Sequence, residues 1–138
     1  MCGIVGYVGN DAPQGIIIEG LKKLEYRGYD SAGIAVVSDG EIELRKHVGA
    51  IVNLEKLIGK ENLGGHVGIG HTRWATHGAP SDVNSHPHMS ADNRVALVHN
   101  GTIENYVELR TALEDEGIGF KSDTDSEVAA VLIGKYYN

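Results

Sequence analysis

The chain has 138 residues, 41% of them hydrophobic, which suits one domain with a buried core. Its formal net charge is −7 and its lysines and arginines do not cluster, which argues against a nucleic-acid or anionic-membrane surface. The sequence shows no signal peptide, no membrane-length apolar run and only one cysteine, so we expect a cytoplasmic protein without an internal disulfide.

The first elements are predicted to be a strand and a helix. Residues 4–8 form a short apolar strand. Asp11 is the predicted N-cap of the following helix, with Pro13 in the first turn and Gln14 at the capping-box position. Apolar residues then recur at helical spacing up to Leu24.

The middle of the chain predicts antiparallel strands. Residues 32–37 are a continuous apolar run, typical of a buried strand, and residues 41–48 alternate between apolar and polar. The Ser-Asp-Gly turn between them predicts a hairpin. A short helix over residues 53–58 and a strand over residues 67–71 follow.

The last third combines a long loop with two helices. Residues 73–88 have no periodicity, and residues 95–99 are predicted as another buried strand. The next helix is closed by Gly117, and the last one begins at Asp123 or Asp125 as alternative N-caps. This mixture predicts an α+β fold with sheet and helices in layers.

The single cysteine stands at position 2. Removal of Met1 would leave a thiol and a free α-amine on Cys2. An α-amine titrates near pH ~7.7–8.0, so it can serve as the base that activates a thiol nucleophile. Taken alone, a cysteine at this position is more simply a small residue at a frayed end.

A second group of chemically capable residues follows the strand at residues 67–71. Arg73 has the geometry to hold a carboxylate through two parallel hydrogen bonds. Thr76 and His77 add donors, and Trp74 could form the wall of a pocket. A surface loop is the alternative, but the density of donors favours a binding site.

Two further polar stretches leave alternatives open. Asn100-Gly101 after a strand is most simply a turn, although a side-chain amide and a glycine N–H can also form an oxyanion hole. Residues 122–127 are rich in acidic and hydroxyl side chains. They fit a helix N-terminus, where acidic groups favour the dipole, or a site for a substrate ammonium.

The chain contains seven histidines, and His86-Pro87-His88 is the densest group. Histidine is the commonest metal ligand, so a His-rich metal-binding protein is one alternative. No HExxH motif or cysteine partner accompanies these residues. We therefore predict no metal site and no cofactor.

Several separated motifs together resemble one family. Residues 2–6 (Cys-Gly-Ile-Val-Gly) closely resemble the start of the Ntn-type (class II) glutamine amidotransferases. Residues 24–33 and 71–78 narrow the resemblance to glutamine–fructose-6-phosphate aminotransferases, because the related amidophosphoribosyltransferases typically carry His-Arg-Gly and a Tyr-Ser run there. The resemblance continues through residues 86–88, 98–101 and 122–125.

The resemblance implies roles in glutamine hydrolysis. Cys2 would be the nucleophile with its own α-amine as base, and Asn100 with the Gly101 N–H would hold the oxyanion. Arg73 would bind the α-carboxylate of L-glutamine, and Asp125 its α-ammonium. The remaining implied residues are Thr76 and His77 in the same site, Trp74 at the exit for ammonia, and Arg27 and His86 in supporting positions.

The resemblance also implies a four-layer αββα sandwich that is incomplete at its C-terminal end. Residues 2–138 would be the N-terminal part of the glutaminase domain, and the sugar-isomerase domain that acts on fructose 6-phosphate would be missing. Full-length members would be homodimers. The alternatives that stay open are an inactive glutamine-binding remnant and the glutaminase domain of an amidophosphoribosyltransferase.

Overall fold

A four-stranded antiparallel sheet forms the first unit of the computed structural model, which describes residues 2–137. Its strands are β1 (Gly3–Val8), β2 (Ser31–Ser38), β3 (Glu41–Val48) and β4 (Val67–Arg73), in the spatial order β1-β4-β2-β3. Helices α1 (Pro13–Leu24) and α2 (Ile51–Ile58) pack on this sheet, and a short 3₁₀ turn (Glu25–Arg27) follows α1. The predicted hairpin of β2 and β3 is confirmed.

The strand register brings two chemically important ends together. Gly3 of β1 lies opposite Thr72 of β4, and Ser31 of β2 lies opposite Arg73. Cys2 directly precedes β1, and Arg73 is the last residue of β4. The two residues therefore lie at the same end of the sheet, where these neighbouring strands begin and finish.

Residues 32–36 of β2 are apolar and buried because both faces of the strand are covered there. Ala32, Ile34 and Val36 belong to the core that the sheet forms with α1 and α2. On the opposite face, Gly33 is so close to the His86 carbonyl that a Cβ atom would not fit. The absence of a side chain at Gly33 thus allows the second unit to approach the sheet.

The second unit consists of a small sheet and two helices. Strands β5 (His88–Met89) and β6 (Ala96–Leu97) pair antiparallel, and helices α3 (Tyr106–Asp115) and α4 (Asp125–Tyr136) pack against each other. Helix α4 also contacts both short strands. The order of layers is therefore helices, sheet, sheet, helices. The strand predicted at residues 95–99 pairs only over β6, which is half-buried.

The predicted N-cap of α1 is wrong. Ala12 occupies the cap position, and no side chain caps the helix. Gln14, predicted to complete a capping box, instead accepts a hydrogen bond from Leu63 N at 2.9 Å and donates one to Glu61 O at 3.0 Å. A contact with a distant segment has replaced the local one.

The predicted N-caps of α4 are also wrong. Thr124 is the cap residue, and its hydroxyl oxygen accepts a hydrogen bond from the Glu127 backbone N–H at 3.3 Å.

Helix α2 begins at Ile51 rather than at residue 53. No helix within residues 2–137 combines the length and the apolar character needed to cross a lipid bilayer.

Candidate active site

A cavity of about 360 Å³ opens between the two units. It is lined by nine of the ten residues for which the sequence predicts a site role. These nine are Cys2, Arg27, Arg73, Thr76, His77, His86, Asn100, Gly101 and Asp125. The first unit and the loop after β4 supply part of the lining, and the second unit supplies the rest.

The backbone of Trp74 orients the Cys2 thiol. The Trp74 N–H donates to Cys2 Sγ at 3.1 Å, and the thiol lies 3.5 Å from the Trp74 carbonyl oxygen that can accept its proton. The Trp74 ring is the one predicted group that does not line the cavity. It is half-exposed and meets Tyr29 edge to face, with centroids 6.1 Å apart.

Asn100 and Gly101 lie beside the cysteine at the exposed rim of the cavity. Asn100 Nδ2 donates to the backbone carbonyl of Cys2 at 3.0 Å, a contact between residues 98 positions apart. Gly101 has φ +143°, a backbone conformation that side chains disfavour. The arrangement places a side-chain amide and a glycine N–H at the same cavity as the Cys2 thiol.

Arg73 is almost completely buried, with 3% of its surface exposed. Its guanidinium donates to three consecutive carbonyls of the following loop, those of His77 at 2.5 Å, Gly78 at 2.9 Å and Ala79 at 3.4 Å. Burial lowers the pKa of Arg73 from its ordinary value, and the carboxylates of Asp30 and Asp125 oppose that shift. A buried cation that faces a cavity is suited to an anionic ligand group.

Asp125 is the first residue of α4 and is also buried. Its Oδ2 accepts a hydrogen bond from Ile103 N at 2.8 Å, whereas Oδ1 accepts none from residues 2–137. The cavity therefore has a carboxylate on the second unit and a guanidinium on the first. That pair of charges matches the two charged groups of an amino acid.

Three histidine rings form a buried group at the cavity wall, and His86 is the member that lines the cavity. The rings of His71 and His86 stack with centroids 4.1 Å apart, and His88 meets His86 edge to face at 4.6 Å. Burial lowers the pKa of His71 to about 4 and that of His88 to about 3, and it depresses the pKa of His86 as well. All three rings are therefore neutral at neutral pH.

This histidine group does not have the geometry of a metal centre. Within residues 2–137, no cluster of three His, Cys, Asp or Glu side chains is placed to hold a metal ion. His88 Nε2 is hydrogen-bonded to Thr124 Oγ1 at 2.9 Å, so the N-cap of α4 is tied to the group. The rings pack against one another, and the hydrogen bond from His88 connects them to the start of α4 in the second unit.

Several residues at the site had no role predicted from the sequence. His99, Thr102, Thr124 and Ser126 also line the cavity. Each of them is adjacent in sequence to a predicted site residue, and this adjacency is the one sequence feature that could have indicated them. His71 lies behind the lining, and its ring contacts Asn100.

Comparison with known proteins identifies a domain type. Residues 58–137 match the family model described as a glutamine amidotransferase domain. Two enzymes named glutamine–fructose-6-phosphate aminotransferase [isomerizing] are similar over 99% of this chain, one from Clostridium acetobutylicum at 56% identity and one from Methanosarcina acetivorans at 63%. The chain spans only 22% of the length of each relative.

Solved structures share the fold. Glutamine phosphoribosylpyrophosphate amidotransferase from B. subtilis has a TM-score of 0.78 and 31% identity over 96% of this chain, which corresponds to 29% of that enzyme. The structure described as the allosteric regulatory enzyme of purine biosynthesis has a TM-score of 0.82 and 30% identity, with the same coverage of both chains. These likenesses confirm the predicted fold class.

Proposed function

Because this chain belongs to the family of glutamine amidotransferase domains, we propose that it hydrolyses the side-chain amide of L-glutamine to glutamate and ammonia through Cys2. One observation carries the proposal. A thiol, a side-chain amide, a guanidinium and a carboxylate converge on one cavity from four distant parts of the chain. The residues are Cys2, Asn100, Arg73 and Asp125.

The nucleophile requires removal of Met1, which lies outside the described residues. The free α-amine of Cys2 then takes the thiol proton, and the thiolate attacks the amide carbon of glutamine. An amine with pKa ~7.7–8.0 is partly unprotonated at neutral pH, so it can act as the base. The Trp74 N–H that already contacts Sγ keeps the sulfur at the cavity edge.

Attack converts the amide carbonyl oxygen into an oxyanion. The Asn100 Nδ2 and Gly101 N–H groups, both at the cavity rim beside Cys2, are the donors for that charge. The α-ammonium of Cys2 gives its proton to the leaving nitrogen, and ammonia departs to leave a γ-glutamyl thioester. Water, activated by the same amine, then releases glutamate and restores the thiol.

The two charged groups of the cavity orient the substrate. Arg73 receives the α-carboxylate and Asp125 the α-ammonium. Both Nη2 hydrogens of Arg73 are engaged by the carbonyls of His77 and Gly78. Arg73 thus organises the loop that contains Thr76 and His77 as it binds the substrate. Arg27 and His86 complete the wall, and this chemistry requires no cofactor.

The longer relatives suggest where the ammonia goes. Their name indicates transfer to fructose 6-phosphate, and we propose that this chain is the N-terminal part of such an enzyme's glutaminase domain. The full protein would be a cytoplasmic homodimer with a sugar-isomerase domain. In it, the exposed rings of Trp74 and Tyr29 would stand at the exit for ammonia. The amidophosphoribosyltransferase alternative is less supported, because the phosphoribosylpyrophosphate amidotransferase structure is 31% identical, whereas the two aminotransferases are 56% and 63% identical.

The test is ammonia release from glutamine by the purified protein, after its mass has shown whether Met1 is removed. We expect activity that Cys2→Ala abolishes and that Cys2→Ser retains only as a trace, because a hydroxyl ionises far less than a thiol. Circular dichroism should show both variants folded. Near-normal ammonia release from Cys2→Ala would show that Cys2 is not the nucleophile. A processed, folded protein without activity would instead indicate a glutamine-binding remnant.

A further inference from the structure

The amide of Asn100 has its orientation fixed by two neighbours. The backbone carbonyl of Cys2 can only accept a hydrogen bond, so the NH₂ group of Asn100 must face it, at 3.0 Å. The amide oxygen then points away from the cysteine, and it lies 2.8 Å from His71 Nε2. A rotation of the amide by 180° would set two acceptor oxygens against each other at Cys2.

This orientation determines the tautomer of His71. Asn100 Oδ1 is an acceptor, so His71 Nε2 must carry the proton that joins them. His71 Nδ1 is buried and has no hydrogen-bond partner among residues 2–137. A proton on Nδ1 would therefore be unsatisfied and would leave two lone pairs facing each other at Nε2 and Oδ1.

The surroundings of His71 keep the ring neutral and closely packed. Its surface is fully buried, and its ring lies parallel to that of His86 within 18°. Burial keeps the pKa of His71 near 4, so the ring has a single N–H at neutral pH. Strand β4 holds the backbone of His71 opposite both Ile4 and Gly33.

We propose that His71 is a positioning residue for the oxyanion site: its Nε2–H holds the amide oxygen of Asn100 and thereby directs the Asn100 NH₂ group toward Cys2 and the cavity. This inference rests on the proposed glutaminase function. One hydrogen of Nδ2 is used by the Cys2 carbonyl, and no other acceptor in residues 2–137 takes the second. That second hydrogen is available for the developing oxyanion.

A double-mutant cycle with Asn100 tests the proposal. His71→Leu removes the donor and should lower kcat by about tenfold, the effect of one orienting hydrogen bond, with little change in KM. His71→Gln places an amide N–H near the position of Nε2 and should restore most of the turnover. In the Asn100→Ala background, His71→Leu should cause no further loss, because the group on which it acts is gone.

Ile34→Val is the matched control for these variants. Ile34 is fully buried on the neighbouring strand, opposite Gly70, and lies outside the site. It should lower the thermal midpoint without changing kcat. Equal fold-losses from His71→Leu in both backgrounds would overturn the proposal and leave the glutaminase function intact. The proposal would also fail if His71→Gln were as impaired as His71→Leu.

A measurement without turnover separates this inference from the proposed function. The ¹⁵N resonances of the His71 imidazole distinguish the two tautomers, and we expect the proton on Nε2 near neutral pH. Asn100→Ala should shift the Nε2 resonance while the ring stays neutral. A proton on Nδ1 would contradict the proposal even in a fully active protein. Absence of glutaminase activity with Nε2 protonated would instead contradict the proposed function.

Discussion

In the first unit, β2 is hydrogen-bonded to strands on both sides, and α1 and α2 cover an extensive apolar core. In the second unit, each strand has two residues, and the buried core consists of Leu113, Val128 and Val131 with partly buried neighbours. The first unit is thus held by backbone ladders and apolar burial. The second needs another source of order.

Buried polar groups supply that order. The Glu127 carboxylate accepts hydrogen bonds from Lys121 N at 2.8 Å, Ser122 N at 2.7 Å and Ser122 Oγ at 2.6 Å. Thr124, next to this network, reaches His88. Such a network is stable only while every member is satisfied, so it fixes one arrangement of the loops.

Lys46 is a cation that joins the two units. Its Nζ donates to the carbonyls of Val83 at 3.3 Å, Ser85 at 2.7 Å and Pro87 at 3.2 Å, which uses all three of its protons. Burial lowers the pKa of Lys46 to about 8. The segment before β5 is thereby attached to β3.

The two units divide the candidate site between them. Thiol and guanidinium come from strand ends of the apolar unit, whereas amide and carboxylate come from loops and a helix start of the polar unit. The first pair should depend on the sheet and the second pair on the polar network. Substitutions and acid can test that division, from the largest expected effect to the smallest.

Asn100→Ala should lower turnover by ~10²–10³, the usual loss for one oxyanion donor, with little change in glutamine binding. Asn100 belongs to the polar unit and contacts Cys2 rather than either charged group. Steady-state ammonia release gives kcat and KM separately. A large rise in KM with unchanged kcat would show that Asn100 has a structural role in a turn and does not hold the oxyanion.

Acid should destabilise the protein where the units meet. The unfolded chain protonates its histidines below about pH 6.5, but folded His71 resists protonation until about pH 4 and His88 until about pH 3. Unfolding therefore takes up protons below about pH 6.5. The free energy of unfolding should fall as the pH drops from about 6.5 toward 4, and the loss should be ~1 kcal/mol per buried histidine at pH 5.5. Urea titrations at several pH values measure the slope.

His88→Gln sharpens this acid test. It removes one of the three buried imidazoles and keeps an N–H or oxygen near Thr124, so the slope should fall by roughly a third. A stability that is flat between pH 6.5 and pH 5 would show that the rings are not neutral in the folded state.

Glu127→Gln should loosen the polar unit selectively. An amide nitrogen in place of one carboxylate oxygen faces a donor, and an unsatisfied buried group costs ~1–3 kcal/mol. Hydrogen exchange should accelerate in α3 and α4 and stay unchanged in β2 and β4. Glu19→Gln, on the exposed face of α1, is the control and should change neither. Equal acceleration in both units would mean that they open together.

Arg73→Lys should give the smallest of these effects, an increase in glutamine KM of about tenfold with a smaller change in kcat. Lysine keeps the charge, but it loses the paired geometry of the guanidinium. A lysine ammonium also has only three N–H groups, so it cannot bind all three loop carbonyls and a carboxylate at the same time. Arg94→Lys, half-exposed beside Asp92, serves as the control. An unchanged KM would remove Arg73 from the carboxylate role.

Much of the molecule was predictable from local pattern. The period-two alternation of residues 41–48 after an apolar run and a Ser-Asp-Gly turn determined the β2–β3 hairpin, because side-chain direction alternates along a strand. The family resemblance carried by the motifs around Cys2, Arg73, Asn100 and Asp125 led to the proposed chemistry, and it named nine residues that line the cavity. Residue type alone restricts which groups can attack, bind a carboxylate or hold an oxyanion.

Tertiary structure decided what depends on distant partners. Gln14 left its predicted capping position for the segment at residues 61–63, and Thr124 rather than an aspartate capped α4. The link from His71 through Asn100 to Cys2 joins positions 29 and 98 residues apart. No local pattern encodes such contacts, because a hydrogen bond forms with whichever donor the packed layers bring within about 3 Å.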